Sequence, residues 1–442
     1  MNKSYFIETY GCQMNVADSE LISGLLSSEG YNKTSDIHAA DIIFVNTCAI
    51  REHAEDKVHS RLGFYNQLKQ KKPETIIGIL GCMAQNLKED ILVSKPFVDI
   101  ILGPDSYRKL PEMINNRSNK IDHIVDTKLS RYEVYDNLFP SRNEGINAWI
   151  SIMRGCDKFC TFCIVPFTRG RERSRSIDSI VSEAVQAVSD GFHEITLLGQ
   201  NVNSYNHQGQ KFHELLDEVA QINGLKRIRY TSPHPQDMTQ EVLNVMRKHQ
   251  KICNYVHLPL QAGNDRILKR MNRTYKKLEF ISLVKRIRET LPNVGLSTDI
   301  IVGFPGESKI EFNDTLDVME KVHFDSAYTF KYSSRPGTKA SEFEDLVAED
   351  EKQSRLEMVI EMQKKHTLSQ NKKRVGSIEM ILVEKESKRS TNHWAGRTDS
   401  NRWVIFEKNN SQIGDLVSVK ITNAKGITLH GENINTKKME AA

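Results

Sequence analysis

Three of the seven cysteines in this 442-residue chain, Cys156, Cys160 and Cys163, fall within eight residues of the segment RGCDKFCTFCIVPFTRGRERSR. At this cysteine frequency a CxxxCxxC spacing does not readily arise by accident, so the trio reads as a ligand set. The common zinc sites need two CxxC pairs, or histidines, to close a four-ligand shell. No histidine lies within ten residues of the trio. Three soft thiolates on one loop suit an iron–sulfur cluster instead, where sulfide completes the coordination of each iron. Three cysteines for four irons leave one iron open to a further ligand.

A second trio is dispersed. Cys12, Cys48 and Cys82 each follow directly after a short apolar run, YFIETYGC, DIIFVNTC and TIIGILGC. These runs, with VDIILGP after them, read as buried strands; SELISGLLSSEG, HAEDKVHSRLGFYNQLKQ and NLKEDILVSK carry helical spacing. Strands alternating with helices predict a parallel, doubly wound sheet. The carboxyl ends of its strands share one edge, where ligands bind, so the three thiols would meet there. The competing reading is that small cysteines tolerate tight strand-to-helix turns. Cys253, in KICNYVHLPL, has no partner at ligand spacing and reads as a small buried hydrophobe.

The stretch DTKLSRYEVYDNLFPSRNEGIN is polar and irregular and reads as a linker. Six strand-like runs follow, AWISIMRG, EITLLGQN, RIRYTSP, YVHLPLQ, GLSTDIIVGF and SAYTFKYS, with helical patterns between them. Six βα repeats predict a partial barrel whose chemistry belongs to the loops after its strands, and the Cys156 loop is the first of these. A charged helix, SRLEMVIEMQKKHTLSQNKK, leads out of it. From about Val375 short, closely spaced strands predict a small OB-like β-barrel. The fold class is therefore α/β: a doubly wound domain over 1–125, a linker over 126–147, the partial barrel over 148–370 and the small β-barrel over 371–437. With 61 basic and 57 acidic residues the surface is mixed, so a polyanion must meet a local patch. No apolar run nears the roughly 18 residues that span a bilayer, and the amino terminus runs into a strand pattern rather than a signal peptide. The expectation is a cytoplasmic protein with no membrane contact. No P-loop is present to support nucleoside triphosphate chemistry.

A CxxxCxxC loop on a βα barrel, with Phe162 just before the last cysteine, resembles the radical SAM superfamily. There the open iron holds S-adenosylmethionine and reduces it to a radical that takes hydrogen from an unactivated carbon. A three-cysteine doubly wound domain, such a barrel and a small β-barrel in that order resemble the methylthiotransferases over essentially the whole chain. Their last piece is the TRAM domain. TYGCQMNVADSE, RGCDKFCTFCIVPFTRGRERSR and YSSRPGTKA look most like the MiaB type, which acts on tRNA carrying N(6)-isopentenyladenosine beside the anticodon.

The resemblance implies that Cys156, Cys160 and Cys163 hold the radical-generating 4Fe–4S cluster and Cys12, Cys48 and Cys82 an auxiliary one. It implies methylthiolation of carbon 2 of that adenosine. One S-adenosylmethionine would methylate the sulfur and a second supply the radical. Phe162, Gln200 and Asp299 are expected at S-adenosylmethionine, Gln200 standing where the superfamily usually has an acid. Arg169, Arg171, Arg173, Arg335 and Arg397 are expected to meet the anticodon stem-loop of tRNA. The alternating arginines also read as a solvated loop, and Trp403 as β-barrel core. The resemblance further implies an electron donor such as flavodoxin and a monomeric enzyme. Three other functions compete: methylthiolation of a ribosomal-protein aspartate, of threonylcarbamoyl adenosine in tRNA, or non-catalytic iron–sulfur binding to RNA. Against the first stands Arg335–Pro336, where that branch usually has an acidic segment. Against the second stands GCQMN, where that branch usually reads GCKVN. Against the last stands the open iron at each trio.

Overall fold

The protein, seen as a computed structural model, is described over residues 3–48, 52–88, 90–118, 123–142 and 145–434. The expected end of the last unit at 437 lies outside them. Six strands form the first sheet: β1 (Ser4–Thr9), β2 (Asn32–Lys33), β3 (Ile42–Thr47), β4 (Ile76–Gly81), β5 (Ile100–Leu102) and β6 (Ile124–Asp126). They are parallel throughout and ordered β2-β1-β3-β4-β5-β6. β3 and β4 are buried at every residue, as strands covered on both faces must be. One face packs on Leu21, Ile22 and Leu26, the other on Val58, Leu62 and Tyr65. β1, β3 and β4 are neighbours, with Thr9 opposite Asn46 and Thr47 opposite Gly81. Each runs directly toward one cysteine of the dispersed trio, on strands about 4.8 Å apart. The doubly wound sheet and its cysteine edge are as the apolar runs predict.

Residues 127–142 have no regular structure, yet they are pinned down. Tyr135 is buried, stacks on Tyr107 at 5.7 Å and donates its hydroxyl to the Pro104 carbonyl at 2.9 Å. Next come β7 (Asn147–Ser151), a two-residue pair β8 (Met153–Arg154) and β9 (Arg173–Ser174) that brackets the cysteine loop, and β10 (Glu194–Leu198). The hairpin β11 (Asn206–His207) and β12 (Gln210–Lys211) precedes β13 (Arg227–Tyr230), β14 (Tyr255–His257), β15 (Gly295–Val302) and β16 (Ser326–Lys331). Two parallel three-stranded sheets, β13-β10-β7 and β14-β15-β16, are joined by a bridge between Ile228 and Ile252. Together they make the six-stranded partial barrel. Leu296, Ile300 and Val302 face the outer helices and are fully buried. Alternation turns Ser297, Asp299 and Ile301 to the inner face, opposite Ser326, Tyr328 and Phe330 of the last strand.

The helix Glu349–Lys372 leads to a closed barrel of β17 (Ile378–Ser387), β18 (Ser390–Arg397), β19 (Trp403–Glu407), β20 (Leu416–Lys425) and β21 (Thr428–Asn433). Its core is aliphatic around Phe406. This barrel is fastened to the amino ends of the βα strands. Arg227 donates to the Met380 carbonyl at 2.7 Å, Arg229 to the Thr398 carbonyl at 2.9 Å, and Arg402 pairs with Asp325.

The first helix, Gln13–Ser28, is tied to the βα barrel through Arg142, which lies 3.3 Å from Glu20 and also pairs with Glu183. Burial pushes the Glu20 carboxyl up to about 7, against the pull of Arg142. The folded chain thus holds a proton that the unfolded chain releases near pH 4.5. That contribution to stability is whole below the unfolded value and is lost as pH rises through about 7. Glu20→Gln keeps the neutral shape. Its melting temperature should exceed that of the parent chain at pH 8, with the gap closing by about pH 5. Equal gaps at both pH values in thermal denaturation would contradict the assignment.

Candidate functional site

The dispersed trio meets at the carboxyl edge of the first sheet. Gly11 has φ +124°, and a Cβ there would stand 2.6 Å from Cys48 Cβ, so only glycine lets the Cys12 turn approach this closely. Cys12 caps the helix Gln13–Ser28, while Cys48 and Cys82 are buried. A hydrogen bond with Cys48 brings the Cys12 thiol down to about 6 despite burial, and the Arg169 charge adds to the effect. Burial pushes Cys82 up, with Arg169 opposing; Arg169 Nε donates to Cys82 Sγ at 3.2 Å.

The second trio sits on the loop after β7 and β8. Gly155 has φ +80°, and a Cβ would lie 2.0 Å from the Arg171 carbonyl oxygen, so the two arms of the loop close only around glycine. The Cys156 N–H donates to the Gly170 carbonyl at 3.1 Å and the Cys163 N–H to the Cys160 carbonyl at 3.0 Å. A neighbouring segment clamps the loop. Thr161 N–H donates to the Met271 carbonyl at 3.0 Å, Asn272 to the Phe159 carbonyl at 2.9 Å, and Arg273 Nη1 to Cys160 Sγ at 3.4 Å. Burial pushes Cys156 up to about 11 and Cys163 up to about 12. Those thiols keep their protons until a metal displaces them, so loading the loop releases protons.

Asp18 joins the two trios. It is fully buried on the first helix, with Arg154 Nη2 at 2.5 Å and Arg169 Nη2 at 2.8 Å. Burial would raise its pKa, but the two guanidiniums hold it below the usual range. Met14, Ala17, Trp149 and Leu198 pack beside this contact. Arg169 ends the short helix Val165–Arg169, only six residues beyond Cys163, and reaches Cys82 on the other domain.

The donors fit iron–sulfur clusters. A single four-coordinate ion with bonds near 2.3 Å draws its sulfurs within about 4 Å of one another. Among the described residues, the group of three ligating side chains with atoms all within 4.8 Å is Glu320, His323 and His366, not either cysteine trio. The rings of His323 and His366 stack at 4.5 Å and 10°, so their in-plane lone pairs do not converge on one ion. The cysteine trios are wholly of sulfur, the soft donor set that a multi-iron core takes.

The other expected site residues divide. Phe162 packs edge-on against Phe304 at 6.5 Å. Gln200 accepts from the Gly155 N–H at 2.6 Å, which ties it to the cysteine loop. Asp299 faces His257 Nε2 at 3.3 Å inside the barrel. The arginine run departs from expectation. Arg169 and Arg173 are buried, Arg173 against Asp105 at 2.8 Å, so neither presents a guanidinium to phosphate. Arg171 is exposed, paired with Asp157 at 2.7 Å and lying over the Phe159 ring. Arg335 is half-buried in its loop. Arg397 is spent between the two barrels, pairing with Glu194 at 3.1 Å and with Glu384, and is not placed to bind RNA. Trp403 lies outside the small barrel's core, flanked by Lys385 and Arg397. Cys253 is buried, as expected. The sequence reading missed Asp18, Arg154 and Arg273, and the inner-face pair Tyr328 and Phe330, which are 59% and 51% exposed. The one available signal was the acid of NVADSE, set on the helix face that must be covered.

Three family models match in succession: residues 4–103 the uncharacterized protein family UPF0004, residues 150–319 the radical SAM superfamily, and residues 372–434 the TRAM domain. Fold and site thus define a radical SAM enzyme with a cysteine-bearing α/β domain in front and a TRAM barrel behind. Over 98% of its length the chain is 45% identical to the tRNA-2-methylthio-N(6)-dimethylallyladenosine synthase of Christiangramia forsetii, covering 94% of that protein. It is 44% identical to that of Clostridium tetani, over 98% of this chain and 96% of the relative. The chain belongs to the family of tRNA-2-methylthio-N(6)-dimethylallyladenosine synthases. Among solved structures it resembles the radical S-adenosylmethionine methyltransferase TsrM of Kitasatospora setae, with TM-score 0.59, 13% identity and 77% of each chain covered. It also resembles the cobalamin-dependent S-adenosylmethionine radical enzyme OxsB, with TM-score 0.55, 12% identity, and 83% of this chain and 56% of that one covered. At such identities these two speak to the fold alone.

Removing Asp18 leaves two buried guanidiniums without their shared carboxylate. Asp18→Ala should therefore cost on the order of 3–5 kcal/mol in chemical denaturation. A loss below about 1 kcal/mol would show that the clasp does not hold the domains together.

Proposed function

We propose that this chain methylthiolates carbon 2 of N(6)-isopentenyladenosine beside the tRNA anticodon, the product being the 2-methylthio nucleoside named in its relatives. The observation that carries this reading is the meeting of two three-cysteine sets at one junction, Arg169 of one cysteine loop touching Cys82 of the other set. Cys156, Cys160 and Cys163 would hold the cluster that binds S-adenosylmethionine, and Cys12, Cys48 and Cys82 the auxiliary cluster. When bound, these groups supply a radical that removes hydrogen from carbon and a methylated sulfur that takes its place.

The chain's own residues then have defined tasks. In this reading Gln200, held by the Gly155 N–H, Phe162, packed on Phe304, and Asp299 on the inner wall contact S-adenosylmethionine. The TRAM barrel is fastened at the amino ends of the βα strands, whereas the cysteine loop is at the carboxyl end. RNA touching both would run along the open side of the barrel, past Tyr328 and Phe330. An adenine splayed from the anticodon loop would stack there, as single-stranded bases do on aromatic side chains. Of the original arginines, this reading keeps Arg171 and Arg335 for phosphate contacts. The same reading has the enzyme in the cytoplasm, as a monomer, reduced by a small donor such as flavodoxin. No described helix is long and apolar enough to cross a membrane.

Nucleoside mass spectrometry of tRNA from cells lacking the gene should show 2-methylthio adenosines replaced by the isopentenyl precursor. Persistence of the methylthio form would refute the substrate. Anaerobically reconstituted protein should carry about eight irons, and replacing Cys12, Cys48 and Cys82 with alanine should leave about four while S-adenosylmethionine cleavage survives. Full iron in that triple variant would remove the auxiliary site. Tyr328→Ala with Phe330→Ala should raise KM for prenylated tRNA about tenfold, one base stack being worth roughly 1–3 kcal/mol. An unchanged KM would place the base elsewhere.

A further inference from the structure

Among the described residues, an arginine donates to one sulfur of each cysteine trio. Arg273 Nη1 donates to Cys160 Sγ at 3.4 Å and Arg169 Nε to Cys82 Sγ at 3.2 Å. The remaining partners of Arg273 are neutral: its Nε donates to the Tyr275 hydroxyl at 3.0 Å and its Nη2 to the Pro259 carbonyl at 3.2 Å. The Tyr275 hydroxyl is itself fixed on the Pro259 and Leu260 carbonyls. Among the described residues no carboxylate lies within ion-pair distance of Arg273, so its charge has the thiol as its nearest anionic partner once that thiol ionises. Arg169 shares Asp18 with Arg154, two guanidiniums to one carboxylate, which leaves a surplus positive charge beside Cys82. Its Nη1 is buried without a hydrogen-bond partner. Burying a cation without full compensation is costly, and an anionic neighbour relieves it.

A thiolate-bound cluster gains one negative charge on one-electron reduction. A fixed cation and an N–H···S bond favour that reduced form, so they raise the reduction potential. We infer that Arg273 and Arg169 are positioning residues that hold the clusters through Cys160 and Cys82 and set the reduction potential of each. This rests on the cluster reading above. It assigns the middle cysteine of the loop and the last cysteine of the dispersed trio as the ligands through which each potential is tuned. It also gives Arg169 a role unlike the RNA contact expected of it.

The test is a dithionite titration of anaerobically reconstituted, full-length protein, followed by electron paramagnetic resonance with iron measured in parallel. Arg273→Gln should move the midpoint of the loop cluster to a more negative potential and leave the auxiliary cluster where it was. Arg169→Gln should do the reverse. Arg273→Lys, which keeps the charge without the guanidinium fork, should recover part of the shift. Should Arg169→Gln fail to fold, Arg273→Gln and Arg273→Lys decide alone, since Arg273 is half-buried and makes no contact with Asp18. An Arg273→Gln protein with full iron and an unmoved midpoint overturns the inference. Absence of iron from the unaltered protein would instead overturn the cluster reading, so the two failures are distinguishable.

Discussion

The placement of everything chemical in this protein depends on one buried carboxylate. Asp18 has no access to water and would be strongly disfavoured as an anion were it not gripped by two guanidiniums from another domain. Such an arrangement adds little to net stability compared with an apolar contact, but it is demanding in geometry. Arg154 immediately precedes the Gly155 turn of the cysteine loop, and Arg169 ends the short helix after it. The carboxylate therefore grips the loop at both shoulders. The first helix, which carries Asp18, is capped by Cys12, so the same contact fixes the dispersed trio against the loop trio.

Around that clasp the domains have a clear division of labour. The parallel sheet brings cysteines from three neighbouring strands to one edge because each strand runs in the same direction and stops before a cysteine. The partial barrel offers its own cysteine loop from the carboxyl end of β7 and an inner wall that includes Asp299, Tyr328 and Phe330. The closed barrel at the carboxyl terminus sits at the opposite end, held by Glu194, Arg227, Arg229 and Arg397 in a network of charges and carbonyls. One end of the βα barrel is covered by protein and the other carries the sulfur ligands. In the proposed function the open flank between them is the route for a long, charged substrate.

Much of this was legible in the sequence. The six cysteines announced themselves by spacing and by their position after apolar runs, because ligand geometry and strand topology both act locally. The arginine run misled for a physical reason. Arg169 and Arg173 read as part of an alternating, solvated loop, yet their partners Asp18 and Asp105 lie 151 and 68 positions away, and no local pattern reveals a distant acid. Arg397 is the same case across the other domain boundary. Arg273 was invisible because MNRTY carries no spacing signal; its meaning comes only from the clamp that lays it beside Cys160. Tyr328 and Phe330 lie in the strand-like run SAYTFKYS, which says nothing of their exposure; only the openness of the barrel exposes them.

The most direct measurement is the iron anomalous difference map of crystals of anaerobically reconstituted protein. The account requires two separate iron peaks, one reached by the sulfurs of Cys12, Cys48 and Cys82 and the other by those of Cys156, Cys160 and Cys163, with the Arg169 guanidinium beside the first. A single peak, or a fourth protein side chain closing either cluster, would contradict it.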